Sequence, residues 1–373
     1  MIAPISRCEK VVSNFGYHAS MTPGPAAQAQ AVGRDHAFHP LPIARVVRET
    51  ADASSFVLDV PADLEHAFAY KAGQFVTHRV WIDGEPHLRC YSMSSSPDID
   101  DEFQVTVKRV AGGVVSNWML DTLAEGDVIE TTCPAGVFCL PPGDGDVVAF
   151  AGGSGITPVL SLLKTTLATT SRHVHLLYAN RDRESTIFAA ELDRLVERYP
   201  DRLDVAHHLD VERGFIEAGT VRPLAAIAAD ASYFICGPPP FMDIVEGTLL
   251  DHDVDRSRIH IERFTPAEPT PPPSSSDTQR GCRVTIELGG RTDTVDHHPG
   301  TTILQTAREM GMSAPFSCES GSCATCMARL VEGEVEMFVN NALSDDELEE
   351  GWVLTCQSVP TTASVHVVYE EGG

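Results

Sequence analysis

Basic residues are scarce in this sequence. Among 373 residues, 27 Lys and Arg stand against 53 Asp and Glu, which gives a formal net charge of −26. Proteins that bind nucleic acid or anionic membrane surfaces do so through clustered Lys and Arg. We therefore expect neither as a partner. The acidic excess is consistent with simple solubility and equally with an acidic docking face for a basic protein.

Long apolar runs are also missing. The most apolar candidate, residues 147–163, is interrupted by several glycines and by Pro158, so we expect no membrane span. Arg7 and Lys10 near the N-terminus are not followed by an apolar run, so we expect no secretory signal. Both absences favour a cytoplasmic protein, where thiols stay reduced and clustered cysteines more often bind metal or catalyse than form disulfides.

The two ends of the chain differ in composition from its middle. Residues 1–40 are rich in Ala, Pro, Gly and Gln and are expected to be a loose tail, with Met1 and Met21 both candidates for the natural start. Residues 265–280 are rich in Pro and Ser and are expected to be a linker. After it, residues 281–373 hold four Arg and no Lys against fifteen Asp and Glu, which predicts an acidic third domain.

The middle of the chain contains two different secondary-structure patterns. Residues 41–143 show short apolar or alternating stretches separated by Gly, Asp and Pro, which predicts an antiparallel β-barrel. Residues 144–264 alternate strand-like with helix-like stretches, which predicts a parallel α/β domain with right-handed crossovers. The length of the chain is compatible with these domains.

Cysteines are concentrated in the stretch CESGSCATC. Cys318, Cys323 and Cys326 have the spacing C-x4-C-x2-C, and Cys356 follows in VLTCQS. This is the spacing of plant-type 2Fe–2S ferredoxins, in which four thiolates hold two irons. Zinc is the main alternative, but structural zinc prefers paired C-x2-C knuckles. A disulfide scaffold is disfavoured in a reducing compartment, and a Rieske centre would need two nearby His ligands.

The sequence around the cysteines fits a β-grasp ferredoxin domain. CRVTIELGG and RTDTVDH are typical of a hairpin, TILQTAREMG of an amphipathic helix, and MARLVEGEVEM of a further strand. SDDELEEG begins with a capping box, Ser344 to Glu347, which predicts a helix start.

A second group of residues lies in the predicted barrel. Arg89, Tyr91 and Ser92 occur in HLRCYSMSSSP, and Gly113 and Ser116 follow where a loop gives way to a helix. A guanidinium, a hydroxyl and free N–H groups at a helix start can bind a pyrophosphate, and Tyr91 can stack on a flat ring. Each residue alone is a weak signal, because a Tyr in a strand usually packs and an Arg is usually solvated.

A glycine-rich turn, FAGGSGITP, lies at the first strand-to-helix transition of the predicted parallel domain. Gly153 and Gly155 permit close backbone approach, and Pro158 suits a first helical turn. The pattern is not G-x-G-x-x-G and is weak alone, but ligands bind at such turns. Cys236, at the end of a late strand, could face a reactive ring or be a buried apolar residue, and the sequence alone favours the second.

In combination, these motifs resemble those of a known family. Arg89-x-Tyr91-Ser92, Gly113-x-x-Ser116, GGSGITP, YANRDRESTIF, CGPPPFM, HIERF and the C-terminal cysteine spacing occur in this order in the ferredoxin-NAD(P)H reductase-like reductases of bacterial oxygenases. Over residues 41–370 the chain is most similar to the 3-ketosteroid 9α-hydroxylase and phenylacetyl-CoA epoxidase types of reductase. The resemblance implies an FAD-binding β-barrel, an NAD(P)-binding α/β domain and a β-grasp 2Fe–2S ferredoxin domain.

The resemblance also implies roles for the FAD site. Arg89, Gly113 and Ser116 would hold the FAD phosphates, Tyr91 would stack on the isoalloxazine, and Ser92 would lie near its hydride-accepting N5. Val107 belongs to the same expected cofactor-binding set.

For the nicotinamide site, the resemblance implies that Gly153, Gly155 and Thr157 line the dinucleotide phosphates and that Cys236 and Gly237 flank the nicotinamide. Glu262 and Phe264 would close over the flavin, with Glu262 as a proton relay. The expected catalytic residues are therefore Ser92, Cys236 and Glu262, and the expected cluster ligands are Cys318, Cys323, Cys326 and Cys356.

The choice between NADH and NADPH depends on the residues after the second strand of the parallel domain. Arg181 and Arg183 would favour the 2′-phosphate of NADPH, whereas the interleaved Asp182 and Glu184 disfavour it. The resemblance favours NADH, with Arg181 as a binding residue.

The resemblance implies an NAD(P)H-dependent oxidoreductase that passes electrons through FAD and a 2Fe–2S cluster to a terminal oxygenase, of the 3-ketosteroid 9α-hydroxylase type in the first instance. The reductase of another aromatic or acyl-CoA oxygenase and a stand-alone redox carrier or sensor are the alternatives. We expect a monomer.

Overall fold

The computed structural model describes residues 17–21, 37–227, 230–264, 281–316, 319, 321 and 323–369, with residues 17–21 described by their backbone alone. Most of the predicted tail, the predicted linker 265–280 and Cys318 lie outside the described residues. The described strands form sheets of six, five and seven members. No helix among the described residues is long and apolar enough to cross a membrane.

After a first strand, β1 (Tyr17–Met21), the chain forms an antiparallel barrel, as predicted. It comprises β2 (Phe38–Thr50), β3 (Ala53–Leu58), β4 (Phe75–Ile82), β5 (Glu85–Ser92), β6 (Phe103–Lys108), helix α1 (Val114–Thr122) and β7 (Val128–Thr132). The strands lie in the order β5-β4-β7-β2-β3-β6, and a bridge between Met93 and Val105 connects the two ends. Leu41, Phe56 and Val76 pack together in the core.

Strand β5 was not evident from the sequence, because its residues do not alternate between buried and exposed positions. It forms because a tight turn directs it back along β4, with Ile82 opposite Glu85. Asp83 and Gly84, the two turn residues, both have positive φ (54° and 84°). Such two-residue turns match the twist of paired strands and favour Asp-Gly.

The parallel domain follows the barrel, as predicted. Its elements are β8 (Val147–Gly152), α2 (Ile156–Thr169), β9 (Val174–Asn180), α3 (Ala189–Arg198), β10 (Leu203–Leu209), α4 (Asp210–Arg213), α5 (Ala218–Ala225), β11 (Ser232–Cys236), α6 (Pro239–Leu250) and β12 (Ile259–Glu262). All strand pairs are parallel and lie in the order β10-β9-β8-β11-β12. From β8 the chain adds β9 and β10 on one side of the sheet, and it then returns to add β11 and β12 on the other side. Open α/β sheets bind ligands next to the two strands where this change of side occurs, which here are β8 and β11.

Both faces of this sheet are covered. Every residue of β8 and β11 is buried, which explains their continuous apolar sequences, since a strand between two helical layers has no exposed face. Ile156 and Leu160 of α2 belong to the apolar core on one face. Val245 and Leu249 of α6 belong to the core on the other.

The C-terminal domain begins at residue 281. Its elements are β13 (Arg283–Leu288), β14 (Arg291–Asp296), α7 (Ile303–Glu309), β15 (Met327–Met337), α8 (Asp345–Glu349), β16 (Trp352–Leu354), β17 (Ser358–Pro360) and β18 (Ser364–Val368). The main path of the sheet is β1-β15-β18-β13-β14, and β16 and β17 also pair with β15. The predicted hairpin, helix and long strand are all present, and Ser344 and Glu347 form the predicted capping box.

The position of β1 differs from the prediction of a loose tail over residues 1–40. Its backbone pairs antiparallel with β15, from Tyr17 opposite Met337 to Met21 opposite Gly333. Residues 38–40 of the predicted tail belong to β2. Backbone pairing at a sheet edge does not need an alternating apolar pattern, so the composition of this segment did not indicate it.

Candidate functional site

Arg89, Tyr91 and Ser92 lie at the end of β5, where the barrel meets the parallel domain. Ser161 of α2 donates a hydrogen bond to the carbonyl of Ser95, just beyond this strand, at 2.6 Å. Arg89 is exposed and donates to the carbonyl of Leu88 at 2.7 Å. Because Tyr91 is largely removed from water, its pKa is raised. The strand thus presents a guanidinium and an aromatic ring beside the junction of two domains.

Ser92 is the strongest indication of a bound polar group in this region. Its side chain is buried, with 3% exposure, and its Oγ has no hydrogen-bond partner among the described residues. A buried hydroxyl without a partner is costly, at about 1–3 kcal/mol. The position therefore fits a flavin, which would bring the missing hydrogen-bonding atom.

His78, next to Tyr91, was not indicated by the sequence. Its ring lies 5.7 Å from that of Tyr91, centroid to centroid, with an interplanar angle of 33°. It is entirely buried, and burial lowers its pKa to about 3, so the imidazole is neutral. Nδ1 lies 2.9 Å from Thr131 Oγ1, whereas Nε2 has no partner within the described part of the chain. A lone His in a strand carries no sequence signal for such a role.

The structure brings Gly113 and Ser116 together at the start of α1. The Val110 N–H donates to Ser116 Oγ at 3.3 Å, and a Cβ on Gly113 would lie 2.7 Å from the same oxygen. Gly113 caps the helix without a side-chain hydrogen bond, so the first N–H groups of the helix are available to an anion. Val107, in contrast, is fully buried in the barrel core and could reach a cofactor only through its backbone.

The glycine turn after β8 packs against the turn after β11. A Cβ on Gly155 would collide with the carbonyl oxygen of Cys236, and one on Gly237 would lie 3.0 Å from the Gly152 backbone. Gly153 has a positive φ of 54°, and its carbonyl accepts a hydrogen bond from Tyr178 at 3.0 Å. The backbones of these two turns therefore lie close together between β8 and β11, where the strand order changes sides. A dinucleotide site requires such close approach.

Thr157 lies in the first turn of α2, where its Oγ1 donates to the Ser154 carbonyl at 3.1 Å. It is buried, with 2% exposure. The hydroxyl stabilises the glycine turn from within the helix.

Cys236 and Glu262 lie side by side at the ends of β11 and β12, as paired residues in the parallel register. Both are buried, at 0% and 5% exposure. Burial, and then the nearby Glu262 carboxylate, raise the pKa of the Cys236 thiol well above its usual value, so the thiol stays protonated. Phe264 follows two residues later, at 41% exposure.

Arg181 follows β9 at the same edge of the sheet. Its Nε donates to Asp182 Oδ2 at 2.7 Å, and the Ser185 N–H donates to Asp182 Oδ1 at 2.8 Å. These hydrogen bonds, that of Arg181 first, lower the pKa of Asp182 to about 2. The edge therefore carries a permanently ionised carboxylate beside the exposed arginine.

The cysteine loop, of which residues 319, 321 and 323–326 are described, lies between α7 and β15. Cys323, Cys326 and Cys356 are buried, at 4%, 2% and 6% exposure, and Cys318 lies outside the described residues. Thr355 Oγ1 donates to the Cys326 carbonyl at 2.7 Å, which places the segment of Cys356 against that of Cys326. The structure thus brings the described members of the motif to one end of the domain.

The loop curves through left-handed backbone. Glu319, Gly321 and Ala324 have φ values of 52°, 74° and 53°, and a Cβ on Gly321 would lie 2.5 Å from the Val339 carbonyl oxygen. No three His, Cys, Asp or Glu side chains of the described residues gather around one point as for a single ion. A dinuclear cluster does not need this, because it takes two thiolates at each iron. The curved loop and buried thiols fit a 2Fe–2S cluster.

The cysteine loop faces the barrel. Cys323 packs with Phe75 and Ala135 of the barrel, and Cys90 lies against the same small cluster. Beside it, a cavity of about 1140 Å³ is lined from both domains, by Arg89 on one side and Arg308 on the other. The strand that carries the flavin motif and the loop that carries the cysteines are therefore neighbours.

Comparisons with known proteins agree with this geometry. Family models match an oxidoreductase FAD-binding domain over residues 40–139, an oxidoreductase NAD-binding domain over residues 150–247, and a 2Fe–2S iron–sulfur cluster binding domain over residues 286–361. The ferredoxin reductase component of 3-ketosteroid-9-alpha-monooxygenase from Mycolicibacterium smegmatis is 40% identical over 341 residues, which are 89% of this chain and 97% of that protein. The chain belongs to this family of oxygenase reductases.

Two further comparisons extend the likeness. A component of 1,2-phenylacetyl-CoA epoxidase from Escherichia coli is 34% identical over 352 residues, 90% of this chain and 99% of that protein. The solved structure of phthalate dioxygenase reductase is 26% identical, with a TM-score of 0.55, and the match covers 89% of this chain and 98% of that one. The reductase is thus an NAD(P)H-dependent flavin iron–sulfur oxidoreductase with FAD-, NAD- and 2Fe–2S-binding domains. The domain boundaries and residue roles given in the sequence analysis stay predictions.

Proposed function

We propose that this reductase takes electrons from NADH and delivers them, through FAD and a 2Fe–2S cluster, to the terminal oxygenase of a 3-ketosteroid 9α-hydroxylase system. The observation that carries the proposal is the 40% identity along nearly the whole chain to reductase components of that name. The reductase of an acyl-CoA oxygenase is the second candidate, favoured by the 34% identity to the phenylacetyl-CoA epoxidase component.

In the barrel, Arg89 and the start of α1 would bind the FAD pyrophosphate, and Tyr91 would orient the ring. The buried Ser92 hydroxyl would hydrogen-bond at the reacting edge. FAD, when bound, accepts electrons as a hydride and releases them singly, which suits the one-electron 2Fe–2S centre. The residues of the chain supply position, exclusion of water and hydrogen bonds.

At the switch point of the sheet, Gly153 and Gly155 would admit the dinucleotide phosphates. Cys236 and Gly237 would border the nicotinamide, with the Cys236 thiol buried and protonated. Glu262, buried one strand away, is the proposed group that holds the proton exchanged with the flavin edge. Phe264 would cover the flavin and exclude water.

NADH is the proposed donor because of the ion pair between Arg181 and Asp182. A 2′-phosphate needs unengaged cationic side chains, whereas this guanidinium already binds a carboxylate at 2.7 Å. The ionised Asp182 would also repel a 2′-phosphate and could accept a hydrogen bond from a 2′-hydroxyl.

The acidic C-terminal domain is the proposed docking surface for the oxygenase, with the acidic charge guiding association. The reductase is proposed to work as a monomer in the cytoplasm, where the cluster thiolates stay reduced.

Reconstitution tests the proposal. The purified reductase is combined with NADH, O2 and the oxygenase component of a 3-ketosteroid 9α-hydroxylase, and hydroxylated steroid is measured against NADH consumed. The oxygenase of phenylacetyl-CoA epoxidase serves as the matched comparison. Coupled product with the steroid enzyme supports the proposal, and product with the acyl-CoA enzyme alone contradicts it. Failure of NADH to reduce cytochrome c through the cofactor-loaded protein would favour the stand-alone carrier instead.

A further inference from the structure

Arg308, near the end of α7, contacts residues that precede and follow Cys318 in the sequence. Its Nη1 and Nη2 donate to Glu319 Oε2 and Oε1, both at 2.9 Å. Its guanidinium also lies over the ring of Phe316, 4.1 Å from the centroid. Phe316 precedes Cys318 by two residues and Glu319 follows it directly. One side chain therefore grips the chain before and after a cluster ligand.

Glu319 is held from a second direction. Its carbonyl accepts a hydrogen bond from Gln357 Nε2 at 2.8 Å, and Gln357 directly follows Cys356. Glu319 therefore connects helix α7, through its carboxylate, to the segment of the last cysteine, through its backbone. The hydrogen bond to Gln357 is the part of this connection that joins the cysteine loop to the segment of Cys356.

The backbone of Glu319 needs such support. Its φ of 52° places it in the left-handed region, which costs a residue with a Cβ about 1–3 kcal/mol and persists only where surrounding contacts impose it. A bidentate arginine–carboxylate pair is among the most directional contacts available to a side chain. The side chains of the pair are partly exposed, at 38% and 35%. The pair therefore contributes by fixing the position of Glu319 as much as by its interaction energy.

The charges of the pair also bear on the cluster. Arg308 lines the same cavity as Cys323, and its partner Glu319 directly follows Cys318 in the sequence. The reduction potential of an iron–sulfur cluster depends on nearby charge and on hydrogen bonding to its sulfurs. A cation beside the thiolates favours the reduced, more negative state, and a carboxylate favours the oxidised one.

From this arrangement we propose that Arg308 and Glu319 are a positioning pair for the 2Fe–2S centre. The pair holds Glu319 in its left-handed conformation beside Cys318 in the sequence, and it sets the reduction potential through two opposed charges. This inference rests on the proposed cluster at Cys318, Cys323, Cys326 and Cys356.

The test uses the full chain loaded with FAD and cluster. Three variants are compared with the unaltered protein: Arg308→Gln, Glu319→Gln, and the exchange Arg308→Glu with Glu319→Arg. The midpoint potential is measured by a reductive titration followed by the electron paramagnetic resonance of the reduced cluster. Cluster retention is measured as the loss of visible absorbance in the presence of an iron chelator.

We expect the potential to fall in Arg308→Gln and to rise in Glu319→Gln, because each variant leaves the opposite charge in place. Both should lose the cluster about threefold faster or more. The exchange variant should restore retention to within about twofold of the unaltered protein. If Arg308→Gln assembles no cluster, the exchange variant becomes the deciding measurement. Recovery of the cluster in that variant would support the inference.

Arg283→Gln is the control, since Arg283 is exposed at the start of β13, at the opposite end of this strand from Leu288, which lines the cavity beside Arg308. It should leave potential and retention unchanged. Shifts of the same sign in both single variants, no shift in either, or no recovery in the exchange variant would overturn the inference. Absence of a dinuclear signal in the unaltered protein would instead contradict the proposed cluster itself.

Discussion

Cys90 Sγ and Thr325 Oγ1 lie 3.9 Å apart. Cys90 stands between Arg89 and Tyr91 on β5, and Thr325 stands between Cys323 and Cys326. Strand β5, which carries the proposed flavin residues Arg89, Tyr91 and Ser92, is therefore in contact with the cysteine loop through Cys90. The strand that would position the electron donor therefore also positions the acceptor.

A larger side chain at this contact should separate the two centres. We expect Cys90→Phe to slow reduction of the cluster by the flavin, because electron transfer slows steeply as the distance between two redox centres increases. Reduction of the flavin by NADH should be almost unchanged. Stopped-flow spectroscopy resolves the two steps, and Cys90→Ala is the matched control. Equal rates in the Phe variant would show that this contact does not set the distance.

Ser92→Ala should slow flavin reduction without weakening the fold. Since Ser92 Oγ is buried and has no partner among the described residues, its removal should not lower the free energy of unfolding of the cofactor-free protein. Hydride transfer, followed as flavin bleaching, should slow by about tenfold, the equivalent of one hydrogen bond of about 1.4 kcal/mol.

Ser94→Ala is the control for this variant. Ser94 is equally buried, but its Oγ hydrogen-bonds to Thr106 at 2.8 Å and to Gln104 at 3.0 Å. It should lower the free energy of unfolding by about 1 kcal/mol with little effect on hydride transfer in the folded protein. If Ser92→Ala instead lowered the free energy of unfolding and left hydride transfer unchanged, Ser92 would have a structural role.

Asp182→Ser should shift the preference toward NADPH by releasing Arg181. We expect the ratio of kcat/KM for NADPH to that for NADH to rise about tenfold, the scale of one charge-assisted contact. Asp251→Ser, at the far end of α6, should leave the ratio unchanged. A ratio that does not move in Asp182→Ser would place the adenosine ribose elsewhere.

The pH dependence follows from the direction of the pKa shift. Because the folded-state pKa of Asp182 is lowered to about 2, its carboxylate is ionised at every pH suitable for assay, and its contribution is lost only as the pH falls through that value. The preference should therefore be constant from about pH 7 to 9. A change within this window would show that another group controls the preference.

Cys323→Ser should uncouple the two halves of the reaction. Cluster assembly and transfer to the oxygenase should be lost, because each iron needs two thiolates. Flavin reduction by NADH should be nearly intact, since the C-terminal domain has a hydrophobic core of its own. The two activities are measured as oxygenase turnover and anaerobic flavin bleaching, and equal loss of both would show that the modules are not independent.

Association with the oxygenase should weaken as salt rises. Oxygenase reduction should slow between low and high ionic strength, because salt screens attraction between exposed charges. Transfer from flavin to cluster is intramolecular and should stay constant, which makes it the internal control. If the rates of both steps do not change with ionic strength, the acidic charge of the C-terminal domain does not guide association with the oxygenase.

The sequence was most informative where one chemistry needs fixed residues at fixed spacing. The cysteine motif, the Arg89 to Ser92 segment and the glycine turn after β8 indicated three cofactors and their order. Alternation and capping signals also predicted the barrel, the parallel sheet and the hairpin of the C-terminal domain, because these patterns reflect local burial and local hydrogen bonding.

The tertiary structure decided the contacts between distant segments. Neither the pairing of β1 with β15, nor the burial of His78 beside Tyr91, nor the pair of Arg308 with Glu319 has a periodic signature. Each forms only when the chain brings together residues that spacing does not relate. The sequence by itself therefore determined which cofactors this protein binds, whereas the packing of domains decided which side chains hold the flavin strand against the cysteine loop, because such contacts depend on three-dimensional proximity and not on local pattern.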